Sequence, residues 1–368
     1  MSATSWAGTS SRYHVHVPVG AILRPQAAEV KAILDTSFRM EFAYGPDGQA
    51  LRLSGIDLQD RQARIRQMLR ALAEPEAELA GATSKLADEL ADLAATDPDR
   101  CRILILTGSY AEAHDAADYL NGLPEWAGRV TTLISDDTDY DDAWVTLPGG
   151  GGRHEAGQLR RGDVASFAAT GSEILVAPLL AVERGHNIVV SGGKAAIGTV
   201  YFLARPHPRP DSLDLAIQAV NDWAVRYVRD GGFRQLVRAS GGLDAAGLAF
   251  RKEAMRRWRR FLTRRMSWSS LPPDEKVSVT WDQLVVMWQV IGRLVRGGVP
   301  ARVVFVDAAF APSEASMTGA DTAETSLVVS MREVLAPYFD EASGTDPVDR
   351  SLVDYLYRPL YQALINLR

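Results

Sequence analysis

Short apolar runs alternating with helix-forming segments constrain this chain more than any other feature. Arg102-Ile-Leu-Ile-Leu-Thr107, Arg129–Ile134, Glu173-Ile-Leu-Val-Ala-Pro178 and Ala301–Val306 are each too short for a buried helix. All but Arg129–Ile134 hold four consecutive apolar residues, so both faces must be covered, as in strands of a parallel sheet. Ala111–Asn121 between the first two runs has helical composition, and strand–helix–strand is the opening of a parallel α/β sheet. Upstream, Tyr13-His-Val-His-Val17 alternates in strand fashion, and Gln26–Phe38 has helical periodicity. A Gly45-Pro-Asp-Gly48 turn joins Met40–Tyr44 to Ala50–Leu53 as a short hairpin. Asp57–Thr96 predicts two helices broken at Glu74-Pro75.

The composition fits a core-forming chain. Of 368 residues 46% are hydrophobic, enough for two domains or for one with large insertions. A single cysteine, Cys101, excludes an internal disulfide and a four-cysteine metal site. No charged-then-apolar leader and no long apolar run is present, so a cytoplasmic protein without membrane contact is expected. A net charge of −6 leaves nucleic-acid contact to a local basic patch.

The run with most chemistry in it is Gln289-Val-Ile-Gly292-Arg293-Leu-Val-Arg296. On a helix, offsets of four and three residues put Gln289, Arg293 and Arg296 on one face. Two guanidiniums beside a glutamine suit a triphosphate that gathers negative charge on its γ-oxygens. The same run also suits an amphipathic helix whose arginines face water. Gly297-Gly-Val-Pro300 is a stop and turn before the strand at Ala301.

This run resembles motif VI of superfamily 2 helicases in the form of the XPD/DinG-like branch. Two further segments follow the family's order. Arg102-Ile-Leu-Ile-Leu-Thr107-Gly-Ser109-Tyr110 resembles motif IV, and Glu173–Asn187, containing Glu183-Arg184-Gly185-His186-Asn187, resembles motif V; the family usually has aspartate where Asn187 stands. The likeness covers residues 100–312, and Arg296–Pro312 is similar to helicases of prokaryotic PIWI–endonuclease defence islands. It implies a RecA-like parallel sheet with helices on both faces, the second motor of an ATP-dependent helicase. Arg293 and Arg296 would be arginine fingers, with Gln289 linking γ-phosphate sensing to closure. Arg184, Gly185, Asn187 and Gly292 would couple to the nucleotide. Thr107, Ser109, Tyr110 and His186 would touch nucleic acid, DNA in preference to RNA.

Met1-Ser-Ala-Thr-Ser5 resembles motif III, which ends the first motor. The expectation is therefore a truncated motor whose ATP and Mg2+ are held mainly by an absent first-motor domain or polypeptide. Such a chain hydrolyses no ATP alone. The alternative is a non-catalytic, helicase-derived nucleic-acid-binding or scaffold protein. The expected divisions are a connecting segment over 1–99, a motor over 100–320 with a helical insertion at about 208–280, and a helical tail over 321–368.

Several features are set aside. His14 and His16 lack a third ligand, so a solvated or hydrogen-bonded strand face is expected rather than a metal site. Asp136–Asp142 and Gly149–Gly152 match no ion-binding or phosphate-loop spacing. Ser191-Gly-Gly-Lys194 lacks both the first glycine and the following Ser/Thr of a phosphate loop, and Val303–Asp307 lacks the glutamate of an acidic metal box. The insertion carries Arg251–Arg265, where Met255, Trp258, Leu262 and Met266 are expected to bury. Arg256, Arg257 and Arg260 then contact phosphates, or else face water or the acidic loop.

Overall fold

The structure is a computed structural model that describes residues 5–22, 31–75, 81–136, 157–183, 187–206, 213–263 and 268–367. In chain order the elements are β1 (Ser37–Met40), α1 (Leu58–Ala73), α2 (Lys85–Thr96), β2 (Ile103–Thr107), α3 (Tyr110–Asn121), β3 (Val130–Ile134) and β4 (Gln158–Arg160). There follow β5 (Ile174–Pro178), α4 (Leu179–Val182), β6 (Thr199–Phe202), α5 (Leu213–Arg229), α6 (Gly232–Ser240) and α7 (Leu243–Thr263). The last elements are α8 (Pro273–Leu294), β7 (Arg302–Phe305), α9 (Pro312–Ala315), α10 (Leu327–Phe339) and α11 (Pro347–Ile365).

The strands form one seven-stranded sheet in the order β1-β7-β6-β2-β5-β3-β4, with every pairing parallel. The fold is α/β, as the alternating apolar runs predict. Position in the sheet follows composition. The inner strands β2, β5 and β6 are buried at every residue, whereas the edges β1 and β4 carry Ser37, Arg39, Gln158 and Arg160. Ile103, Ile105, Ile174, Val176, Tyr201 and Val304 face a cluster completed by Ile65, Met68 and Leu72 of α1, Leu86 and Leu90 of α2, and Ala113, Ala116 and Leu120 of α3. The alternate positions, Leu104, Leu106, Leu175, Val200, Phe202, Val303 and Phe305, are also buried.

The chain divides into two compact units, Gly20–Pro206 with Val286–Arg368, and Met1–Val19 with His207–Val285. The first holds the sheet and the second is helical. The insertion expected at about 208–280 coincides with His207–Val285 of the helical unit, whereas the other bounds differ from the expected ones. Residues 37–99 are no connector, because β1 pairs with β7 and Leu51, Leu53 and Ile65 lie in the sheet's core. The tail helices α10 and α11 pack within the sheet unit, where Trp288 Nε1 of α8 donates to Leu356 O of α11 at 2.9 Å. Local periodicity does not report a pairing between residues more than 260 positions apart, such as Ser37 with Arg302.

Smaller expectations also change. Tyr13–Val17 forms no strand, and Phe38 lies in β1 rather than in a helix. Ile188–Val190 makes only an isolated antiparallel bridge, Val189 with Ala195. The Gly45–Gly48 turn is present, with Gly45 N donating to Gln49 O and Leu51 N to Ala43 O. The two helices on either side of Glu74-Pro75 are α1 and α2.

Candidate functional site at the C-terminal end of helix α8

Arg100, in the turn before β2, organises the region around the Gln289–Arg296 run. Its guanidinium is 2% exposed and uses all its nitrogens. Nε donates to Ala195 O (3.1 Å), Nη1 to Asp97 Oδ2 (3.0 Å) and Pro300 O (2.7 Å), and Nη2 to Ile197 O (3.0 Å) and Leu294 O (2.7 Å). One side chain thus ties the end of α8 to the segments entering β6 and β7. These carbonyls include ones that a helix terminus and two strand entries leave without ladder partners. Burial pushes the Arg100 pKa below its usual value, opposed by Asp97. No local motif marks Arg100 in the sequence, since its four carbonyl acceptors lie 95 to 200 residues away.

At the helix end, Arg293 Nη2 donates to Glu183 O at 2.9 Å. This bond joins the helix end to the residue that follows α4, and so brings two of the sequence-derived segments together. Burial, then the neighbouring Arg296, lower the Arg293 pKa, and Glu183 raises it. Gln289 is half-buried, one turn before Arg293 on the same face of α8. Arg296 departs from expectation. α8 stops at Leu294, so Arg296 is exposed in the turn rather than on the helix face. Its carbonyl accepts from Ala195 N at 3.0 Å.

The stop is enforced by Gly297 and Gly298, with φ of 78° and 69°. A Cβ on Gly297 would lie 2.8 Å from Lys194 Cα, so only glycine lets the Ser191–Lys194 turn pack here. That turn closes through Val190 N to Lys194 O (2.9 Å) and Gly193 N to Val190 O (3.1 Å), with φ of 96° at Gly192 and 80° at Gly193. It is a β-turn and not a phosphate loop, and no helix follows it. It adds exposed Lys194 beside the arginine-bearing turn. Gly292 is different: it sits within the last turn of α8, and a Cβ there would meet no atom of the described residues within 4 Å.

The loop after β2 corrects another expectation. Thr107 is fully buried and its hydroxyl donates to Ser109 O at 3.1 Å. Ser109 Oγ caps α3 by accepting from Glu112 N at 3.2 Å. The Glu112 carboxylate accepts from Gly108 N (2.8 Å) and from Arg61 Nε (2.6 Å), and Arg61 Nη1 donates to Leu53 O (2.8 Å). Thr107 therefore cannot touch a strand, and the Ser109 hydroxyl serves the helix cap. Tyr110 is half-buried at the first position of α3. Asn187 is half-buried, while Arg184, Gly185 and His186 lie outside the described residues, as do Met1–Thr4, residues 137–156 and Arg264–Met266.

Asp307, at the end of β7, is no metal ligand. It is fully buried and accepts from Leu53 N (3.3 Å), Ala309 N (2.9 Å) and Arg205 N (3.1 Å). Burial pushes its pKa up, against these bonds and Arg205. No cluster of three His, Cys, Asp or Glu fit to hold a metal occurs among the described residues. Among them, too, no helix is long and apolar enough to cross a membrane.

In the helical unit, His14 and His16 do adjoin, with ring centroids 4.7 Å apart, but in an irregular segment. Trp6 stacks edge-on against His14, and His16 Nε2 lies 2.7 Å from Asp222 Oδ1. Ser10 Oγ donates to the buried Asp282 at 2.5 Å. The basic helix α7 also differs from expectation. Met255 and Leu262 are each 52% exposed, and only Trp258 is half-buried. Arg256 and Arg257 both pair with Glu253, Arg257 lies 4.7 Å over the Trp223 ring, and Arg260 pairs with Glu275 at 3.3 Å. The three arginines expected at phosphates are thus engaged within their own unit. The helical wheel alone does not show that α5 lies on their side of α7.

No protein-family model matches the sequence, and no curated protein matches it significantly.

Proposed function

We propose that the sheet unit is the closing half of a split ATP site, a second helicase-type motor that presents cations to a nucleotide held by another domain. The observation that carries this reading is the Arg293–Glu183 bond, which couples the arginine-bearing end of α8 to the segment after β5. Two further features support it. Arg293 and Arg296 lie close enough to repel each other, and the Lys194 turn packs against Gly297 beside them, a charge set suited to terminal phosphates. Gly292 costs α8 about 1 kcal/mol relative to alanine, and no packing among the described residues requires it. Open space beside a cationic helix end suits a ligand that approaches the backbone closely.

The helix-end cations fit phosphate oxygens, and Asp307 spends its carboxylate on three backbone amides rather than on a metal ion. Magnesium and the phosphate loop would come from the first motor, and closure over the bound ATP would bring these cations to it before hydrolysis. Arg293 and Arg296 would stabilise charge on the γ-phosphate, and Gln289 would report its presence along α8. Nucleic acid would be held across both motors. The second reading, a non-catalytic scaffold, is favoured by one observation, the closed hydrogen-bonding of Thr107 and Ser109.

Complementation separates the two. The chain alone should show no ATP turnover above background. With a first motor of an XPD/DinG-like helicase supplied by fusion or in trans, turnover should appear and depend on nucleic acid. Arg293→Ala or Arg296→Ala should then lower it about a thousandfold, with poor rescue by lysine. A complemented enzyme indifferent to both changes would refute the assignment. Steady turnover by the chain alone, abolished by Arg293→Ala, would refute the split site.

A further inference from the structure

Helices α5, α6 and α7 of the helical unit bury little of their own apolar surface. Among the described side chains of α5, α6 and α7, only Ala216 and Ala246 are buried. Trp223, Tyr227, Phe233 and Phe250 cluster between the helices, with Trp223 and Phe250 stacked at 5.0 Å. That cluster defines the inner side of α7, together with Arg257 over Trp223. The outer side carries Leu248 (55% exposed), Met255 (52%) and Leu262 (52%). They stand seven residues apart, and a heptad step drifts only about 20° around a helix, so the three form a straight ladder. Lys252 and Arg259 alternate with them on the same face and Arg251 borders it, all exposed. Residues 213–263 hold ten Arg and Lys against five Asp and Glu, in a chain whose net charge is −6.

We propose that this outer face of α7 is a docking ridge for an acidic amphipathic helix of a partner protein. Apolar residues at one heptad position flanked by cations are one half of a coiled-coil seam. The complementary half presents leucines to Leu248, Met255 and Leu262, and glutamates to Arg251, Lys252 and Arg259. A second copy of this chain fits poorly, because it sets the same cations against one another. Nucleic acid satisfies the cations but leaves the ladder in water, and so makes no use of the feature that distinguishes this face. The ridge does not depend on nucleotide chemistry at the end of α8.

The test uses the full chain and a synthetic four-heptad peptide with leucine at positions a and d and glutamate at e and g. Fluorescence anisotropy should show binding in the micromolar range. Met255→Glu should weaken it at least tenfold while leaving the circular dichroism and melting of the chain unchanged, because Met255 is exposed. The double variant Lys252→Glu/Arg259→Glu should lose the acidic peptide and gain the counterpart with lysine at e and g. Absence of binding, or equal binding by Met255→Glu, would overturn the proposal. So would concentration-dependent dimerisation abolished by Met255→Glu, or displacement of the peptide by a 20-nucleotide single strand.

Discussion

Replacing Arg100 tests whether one buried guanidinium holds the candidate site together. Arg100→Met preserves length and apolar volume but removes every donor. Four carbonyls, at Ala195, Ile197, Leu294 and Pro300, then lose a charged partner inside the protein. Stranding a buried acceptor costs about 1–3 kcal/mol, so the gross loss is roughly 4–12 kcal/mol. Offsetting this, the variant no longer desolvates a cation, a relief of several kcal/mol. The expected net destabilisation is about 3–5 kcal/mol, the range for breaking a buried ionic site. Arg100→Lys should cost less, about 2–3 kcal/mol, since an ammonium has three donors and no planar fork. Native-state hydrogen exchange by mass spectrometry measures this by segment. The peptides spanning 193–199 and 290–302 should lose protection first, with β2 and β6 following at the global limit. Arg100→Met within 1 kcal/mol of the parent in those segments would refute the view of Arg100 as the tie between α8, β6 and β7.

Asp282 makes the helical unit sensitive to pH. Burial, with Asp222 nearby, outweighs Ser10 and Arg12 and lifts its pKa to about 6 from the usual 3.8. Between those values the folded form binds more protons than the unfolded one, so this group adds stability as pH falls, about 2 kcal/mol from pH 8 to pH 4. Urea unfolding of Asp282→Asn should lack that increment relative to the parent, and identical pH profiles would exclude it. Gly297→Ala should destabilise the turn after α8 by about 2 kcal/mol, because it meets both a φ of 78° and Lys194 Cα at 2.8 Å. Exchange over 191–197 and 295–300 is the measurement. Gly292→Ala should do the reverse, stabilising the isolated chain by up to about 1 kcal/mol while impairing the complemented ATPase. If it leaves the ATPase intact, the open space there is not a ligand approach.

The sequence by itself determined four strands of the sheet, β2, β3, β5 and β7, while β1, β4 and β6 were not legible in it. Runs such as Ile103–Leu106 and Ile174–Ala177 are apolar at every position, and only strands covered on both faces satisfy them. It also determined the stop after α8, through Gly297 and Gly298, and excluded a phosphate loop at Ser191–Lys194. These are local matters of backbone conformation and side-chain period. What tertiary structure decided is long-range. β1 joins β7 across more than 260 residues, Arg100 finds carbonyls on three segments, and Thr107 disappears into the core. The wheel of α7 showed an apolar stripe but not whether anything covers it, and Met255 and Leu262 proved to face outward. Arg293 and Arg296 were legible as residue types, while their separation into helix and turn was set by where α8 ends. Periodicity records which residues share a face. Only packing records what that face meets, because contact energies belong to pairs of segments and not to either one alone.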